Sequence, residues 1–191
     1  FIVCTDAGLS SMDNRKFNDK KDRAFITTQS IKKLKKHLKQ WALDPTGWHL
    51  AGSSNTYDIR LMDKDENFYE KHKDLTFYKE RWIKENGLEQ KLIITYSLKY
   101  RDYQRQIRNR QLERATKLIE NRPSDLKKRN QNDFKRFISS TNVTPDGEVA
   151  DKSIYSINDK AIVDEEMYDG FYAICTNLDD DAVSITKINH R

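Results

Sequence analysis

The sequence has few of the features that identify membrane-spanning or zinc-binding proteins. No apolar run in its 191 residues approaches the roughly 20 residues that a membrane-spanning helix needs. Its two cysteines, Cys4 and Cys175, both lie in apolar segments, where buried, reduced thiols are expected. Its four histidines are scattered without the spacing of a zinc site. These absences predict a cytoplasmic protein with no membrane partner.

Sequence motifs of several common enzyme classes are also missing. The chain contains no glycine-rich phosphate-binding loop, no Gly-x-Ser-x-Gly motif and no cysteine–histidine catalytic set. The hydrophobic fraction is only 36%, but nine tyrosines, eight phenylalanines and three tryptophans provide material for a core. Disorder of the whole chain is therefore not expected.

Charge is distributed unevenly along the chain. The net charge is +6 in residues 1–43, −3 in 44–90, +9 in 91–137 and −7 in 144–191. Basic blocks of this kind favour a polyanionic partner. The alternative is that these side chains are solvated charges on helix surfaces.

The first 43 residues predict strands that alternate with helices. Phe1–Thr5 is a continuous apolar run, which is typical of a strand buried on both faces, and Ala24–Thr28 predicts a second strand. Serine N-caps precede predicted helices at 12–18 and 31–43. This order predicts an α/β core.

The pattern changes after Pro45. The sequence then predicts strands at 57–62, 75–83, 88–97, 154–157 and 170–175. It also predicts a long helix at 98–121, a basic helical segment to about 137, and a final helix capped by Asp179, Asp180 or Asp181. An α/β piece at each end of the chain is therefore interrupted by a basic α+β insertion.

Asp6 is the sharpest candidate for a catalytic residue. It follows a buried strand and precedes Ala7 and Gly8, which permits a tight turn. Ligands of open α/β sheets gather at the carboxyl ends of strands, and a carboxylate there could hold Mg²⁺. The alternative is an aspartate that only caps the following turn.

Other acidic segments predict structural roles. Asp169-Gly170 precedes a strand and is typical of a turn, whereas Asp164–Glu166 predicts a solvated surface. The residues alone thus indicate an α/β protein with a basic insertion, consistent with a metal-dependent nucleic-acid enzyme.

Four segments occur in an order that matches a known family. They are Phe1–Ser11 with its Asp-Ala-Gly; Arg23–Lys33; Ile94–Tyr100 followed by Arg108–Ala115; and Tyr168–Asn177. Together they resemble DDE transposases of bacterial insertion sequences, in the insertion-sequence-four-like group. This resemblance covers nearly the whole chain and implies an α/β fold in which a partial RNase H-like core is interrupted by the basic insertion. The core would comprise residues 1–45 and 161–191, and the insertion residues 46–160.

The resemblance also implies a role for Asp6. It would be the second of three catalytic carboxylates, the first lying before Phe1 and the third, a glutamate, beyond Arg191. Together they would hold Mg²⁺ or Mn²⁺ for cleavage and strand transfer of transposon-end DNA by a homo-oligomer. This chain by itself would be inactive. Asn189 departs from the family pattern, which has tyrosine at that position.

DNA contact is expected from the long helix. Its apolar line runs through Tyr100, Tyr103, Ile107 and Leu118. Six basic residues flank this line in two tracks, Arg101, Arg105 and Arg108 on one side and Arg110, Arg114 and Lys117 on the other. One track is predicted to contact DNA and the other to pair with acidic residues. Two other functions stay open, a non-catalytic nucleic-acid-binding module and another RNase H-like nuclease.

Overall fold

A computed structural model describes residues 1–121, 133–142 and 153–179. The strands in this part of the chain are β1 (Ile2–Thr5), β2 (Ala24–Thr28), β3 (Trp48–Leu50), β4 (Thr56–Tyr57), β5 (Phe77–Glu85), β6 (Leu88–Tyr96), β7 (Ile138–Asn142), β8 (Ser153–Ile157) and β9 (Phe171–Thr176). The α-helices are α1 (Met12–Asn18), α2 (Lys36–Leu43), α3 (Glu66–His72), α4 (Leu98–Asn121) and α5 (Asp159–Glu166). Short 3₁₀ helices occupy Ala7–Leu9, Ile31–Lys33, Ile59–Leu61 and Phe134–Phe137.

The first compact unit contains a seven-stranded mixed sheet. It comprises Phe1–Arg101 and the residues from Gly170 onward. Its strand order is β1-β2-β9-β6-β5-β3-β4, in which β1 and β2 are parallel and every other neighbouring pair is antiparallel. The predicted mixture of helices and strands is confirmed. Of the strands predicted after Pro45, those at 75–83, 88–97 and 170–175 correspond to β5, β6 and β9 of this sheet.

The centre of the sheet follows directly from the sequence. Leu92, Ile93 and Ile94 of β6 are fully buried, as a continuous apolar run between two neighbouring strands requires. The β5–β6 hairpin turns through Asn86 and Gly87, whose φ angles of 50° and 82° are both positive. Asn-Gly is the preferred pair for such a two-residue turn, so the sequence also sets the register of this hairpin.

The second compact unit spans Asp102–Asp169. It contains most of α4, the β7–β8 hairpin and α5. Its core is formed by the buried side chains of Ala115, Phe137 and Ile138, against which eight partly buried apolar residues pack. The two units meet within α4, after Arg101, and again before Gly170.

Several predicted elements are wrong or incomplete. The helix predicted at 31–43 is a 3₁₀ turn followed by α2, because Leu34 and Lys35 are extended. Of the strand predicted at 57–62, only Tyr57 lies in a strand, β4. Asp58 then caps a 3₁₀ helix by accepting a hydrogen bond from the backbone N–H of Arg60. The acidic segment Asp164–Glu166 ends α5. Asp164 and Glu166 are exposed, in agreement with the predicted solvated surface, whereas Glu165 is half-buried and pairs with Arg136. The final helix predicted after Asp179 lies outside the described residues.

The two cysteines differ in environment. Cys175 is buried on β9, an interior strand of the sheet, and this burial raises the pKa of its thiol to about 11. Cys4 is exposed, so the prediction that both cysteines are buried is wrong for Cys4. The reason is that β1 is the last strand of the sheet in the described part of the chain, and its residues are at least partly exposed.

This difference predicts selective alkylation. At pH 8, iodoacetamide is expected to modify Cys4 of the folded protein at least about 100-fold faster than Cys175, because a buried thiol of raised pKa carries little thiolate. Peptide mass spectrometry over a time course measures both rates, and denaturation in urea should equalise them. Equal rates in the folded protein would contradict the described burial of β9.

Gly170 is confined by its surroundings. Its φ angle is +85°, and a Cβ at this position would lie 2.7 Å from a ring carbon of Tyr96 and 3.0 Å from both the Arg101 Cβ and the Ser97 carbonyl oxygen. Gly87, with φ +82°, has no atom within 4 Å of the corresponding Cβ position. The two glycines share a positive φ angle but differ in the room available for a Cβ atom.

This contrast predicts unequal costs of adding a methyl group. Gly87→Ala is expected to cost about 1 kcal/mol through its positive φ alone. Gly170→Ala should cost about 3 kcal/mol because overpacking adds to the strain. Urea denaturation of both variants measures the difference, and equal losses of stability would show that the space around Gly170 is not restrictive.

Candidate active site

Asp6 lies at the carboxyl end of β1, where the sequence predicts a functional carboxylate. Its side chain is exposed, and its Oδ1 accepts hydrogen bonds from the backbone N–H groups of Gly8, at 2.9 Å, and Leu9, at 3.3 Å. Asp6 therefore does cap the following turn, as the alternative interpretation proposed. Its Oδ2 makes no hydrogen bond with the described residues, so one carboxylate oxygen is anchored while the other is available.

Gly8 allows the carboxylate to approach the backbone this closely. A Cβ on Gly8 would lie 3.3 Å from Asp6 Oδ1, which is tighter than an ordinary contact. The adjacent Ser10 hydroxyl donates to the Ala7 carbonyl at 2.8 Å, and the Asn14 amide donates to the Leu9 carbonyl at 3.0 Å. These bonds hold the Asp6 turn in one conformation.

Arg15 fastens this turn to the sheet. From α1 its Nε donates to the Ser10 carbonyl at 3.2 Å, and its two terminal nitrogens donate to Gln90 at 3.1 Å and Gln29 at 2.8 Å. The guanidinium is buried, with 6% of the residue exposed. Arg15 has no local signal in the sequence, because its two glutamine partners lie 14 and 75 residues away.

A groove of about 630 Å³ extends from Asp6 over one face of the sheet. Its floor includes Ile26 and Ile174, which pack with Ile93 in a small apolar cluster. Most of the remaining lining is hydroxyl-bearing, from Thr5, Thr28, Thr76, Thr95, Ser97, Tyr100 and Tyr172. The Thr28 and Tyr172 hydroxyls lie 2.7 Å apart in a hydrogen bond, and the Tyr100 and Tyr172 rings meet edge to face with centroids 6.5 Å apart.

The groove has one carboxylate, that of Asp6, within the described residues. Across the same ranges no cluster of three or more histidine, cysteine, aspartate or glutamate side chains could hold a metal ion. Asp6 fits a divalent cation as one hard oxygen ligand. The residues described here do not form a complete metal site.

The six basic residues of α4 separate into two groups. Arg101 pairs with Asp63, Arg105 lies 3.6 Å from Asp169, and Arg108 binds Asp169 through both terminal nitrogens at 2.7 and 2.6 Å. The other three, Arg110, Arg114 and Lys117, are exposed, and their side chains make no ion pair or hydrogen bond with any described residue. Contact of Arg101 or Arg108 with DNA would require breaking an internal ion pair.

Of the predicted apolar line of α4, only Leu118 packs against a core, that of the second unit. Tyr100, Tyr103 and Ile107 are 37%, 57% and 36% exposed, whereas Arg101 and Arg108 are buried. The reason is that carboxylates compensate the buried guanidinium groups, a partnership that hydrophobic periodicity does not detect.

Among the described residues of the second unit, the Arg108–Asp169 pair is the most enclosed charge pair. Each side chain is only 6% exposed, and Glu166 lies 3.4 Å from the same guanidinium. The hydrogen bonds from Arg108 to Asp169 raise the pKa of the guanidinium above its usual value, so Arg108 stays charged. The neighbouring Arg136 pairs similarly with Glu165 at 2.6 Å.

No family model, no curated protein and no solved structure matches this chain. None of the helices in ranges 1–121, 133–142 and 153–179 combines the length and apolar character needed to cross a membrane.

Proposed function

We propose that this chain is part of a DDE transposase with a partial RNase H-like core, and that Asp6 is one of its metal-binding carboxylates. The observation that carries the proposal is the state of Asp6, with one oxygen anchored to the backbone and the other available at the end of a large groove. The β1 and β2 strands, which contribute to the groove, are parallel, and this agrees with the α/β order expected of such a core. The ordered sequence resemblance supplies the reaction class.

In this proposal each group near Asp6 has a defined task. Asp6 would supply one ligand to Mg²⁺ or Mn²⁺, and the other carboxylates would come from residues outside the described ranges. When bound, the metal ions would activate a water or a DNA 3′-hydroxyl and stabilise in-line displacement at a phosphodiester. Arg15 would keep the Asp6 turn fixed through Ser10, and the hydroxyl groups of the groove would hydrogen-bond the sugar–phosphate backbone.

The proposal places the protein on transposon-end DNA in the bacterial cytoplasm, as a homo-oligomer during strand transfer. One observation favours a second function, a non-catalytic nucleic-acid-binding module. Within the described residues the groove holds a single carboxylate, whereas three cations of α4 have no internal partner. In that case Asp6 would serve only as a turn cap.

The two functions are separated by a cleavage assay. Purified full-length protein is incubated with plasmid carrying the ends of its own element, in Mg²⁺, in Mn²⁺ and in EDTA. A transposase should cut at the element ends in either metal and be silent in EDTA. DNA binding without cleavage in either metal would favour the binding module and reject the catalytic proposal.

A further inference from the structure

We infer that Arg110, Arg114 and Lys117 of α4, here called the outer stripe, form a docking surface for the backbone of duplex DNA. This inference rests on the proposed function only for the choice of DNA as the polyanion. The sequence predicts that one of two basic tracks of α4 contacts DNA, and this inference identifies that track as the outer stripe. The binding itself does not require Asp6 or a metal ion.

The outer stripe differs from Arg101, Arg105 and Arg108 in its ion pairing. Arg101, Arg105 and Arg108 all lie against carboxylates, whereas the stripe residues make no ion pair within the described part of the chain. Arg110 and Arg114 are also four residues apart, so their like charges repel on the helix surface. A bound polyanion would remove this repulsion.

The position of the three side chains suits a linear array of phosphates. Residues 110, 114 and 117 fall within about 60° of one another around the helix axis and span about 10 Å along it. The exposed side chains of Tyr103 and Ile107 continue the same face toward the start of the helix. This provides a straight row of cations with a small apolar extension that can contact deoxyribose.

The surroundings of the outer stripe indicate where the DNA lies and that it is a duplex. Glu113 and Glu120 border the stripe on one side and line a shallow depression with Lys117, so the DNA is expected over the opposite side, toward Ile107. A rigid duplex presents a fixed array of charge, about one per 1.7 Å, that a rigid helix can match. A flexible single strand would need aromatic platforms for its bases, and this face offers one ring, that of Tyr103.

The inference is tested by DNA binding across salt concentrations. Full-length protein carrying Asp6→Asn, in EDTA, is titrated with a fluorescent duplex of its element end. Arg110→Gln/Arg114→Gln/Lys117→Gln should lower the slope of log K against log salt by about 2.7 and weaken binding by up to about 500-fold at 0.1 M salt. Each single stripe substitution should lower the slope by about 0.9.

Matched variants on the same helix serve as controls. Arg105→Gln removes one charge from the opposite side and should leave affinity within about twofold of the parent, because Arg105 lies against Asp169. Glu113→Gln should tighten binding, since it removes a carboxylate beside the stripe. An unchanged slope in the triple variant overturns the inference, as it would if the stripe bound an acidic protein instead. An effect of Arg105→Gln equal to that of Arg114→Gln also overturns it.

The assay separates this inference from the proposed function. Because Asp6→Asn and EDTA prevent cleavage, a lost stripe effect would remove the docking surface and leave the catalytic proposal intact. Conversely, stripe-dependent binding by a protein that never cleaves DNA would support the surface and reject the transposase.

Discussion

Asp6→Asn is expected to reduce metal-dependent DNA cleavage by the full-length protein by at least about 10³-fold, because a metal-held carboxylate supports several kcal/mol of transition-state stabilisation. Asparagine retains an oxygen that can accept the Gly8 and Leu9 hydrogen bonds, so the turn should keep its conformation. Affinity for transposon-end DNA and the thermal unfolding midpoint should therefore change little. Cleavage rates are measured on a labelled element-end duplex.

The matched control for this substitution is Asp13→Asn. Asp13 is also exposed and lies in the first turn of α1, but it does not line the groove. The Asp13→Asn substitution removes the same charge near the same turn and should leave the cleavage rate within about twofold of wild type. Cleavage by Asp6→Asn at the wild-type rate would show that Asp6 is only a turn cap.

Arg108→Met is expected to destabilise the second compact unit by about 3–5 kcal/mol, the usual cost of removing one partner from a buried ion pair. The substitution leaves the Asp169 carboxylate, which is 6% exposed, without its bidentate partner. Hydrogen exchange of β7, β8 and α5 should accelerate accordingly. Urea denaturation gives the corresponding loss of stability.

Two variants test whether the loss comes from the buried carboxylate. Arg105→Met removes a 51% exposed guanidinium lying 3.6 Å from the same Asp169 and should cost less than about 1 kcal/mol. Arg108→Met/Asp169→Leu should recover most of the stability, because no unpaired charge stays buried. If Arg108→Met and Arg105→Met cost the same, the Arg108–Asp169 pair does not hold this unit together.

The regular elements with local signals were predictable from the sequence. The α4 helix has the bounds expected, and the β5–β6 hairpin follows from Asn86-Gly87 between two apolar segments. The α3 and α5 helices were missed because both are short and highly polar, so hydrophobic periodicity is weak. The joining of β9 to both β2 and β6 depends on pairing across many residues, which no local pattern encodes.

The candidate site was predictable only at Asp6. A carboxylate directly after an apolar strand and before glycine is a local signal, and the residue does lie beside a groove. The groove itself is built from β1, β2, β9 and the end of β6, so its hydroxyl lining could not be foreseen. The internal pairing of one basic track of α4 could not be foreseen either, because it depends on Asp63 and Asp169, which are remote in sequence.

The most direct test of the account is a change in metal preference at position 6. In a Cys4→Ser background, Asp6→Cys places a soft thiolate where the carboxylate would hold the metal, and thiolates bind Mg²⁺ poorly compared with more thiophilic transition metals. The account predicts that the ratio of DNA cleavage rates in Mn²⁺ and Mg²⁺ rises at least about tenfold over that of Cys4→Ser alone. The same ratio in both proteins would show that Asp6 does not contact the metal and would contradict the proposed function.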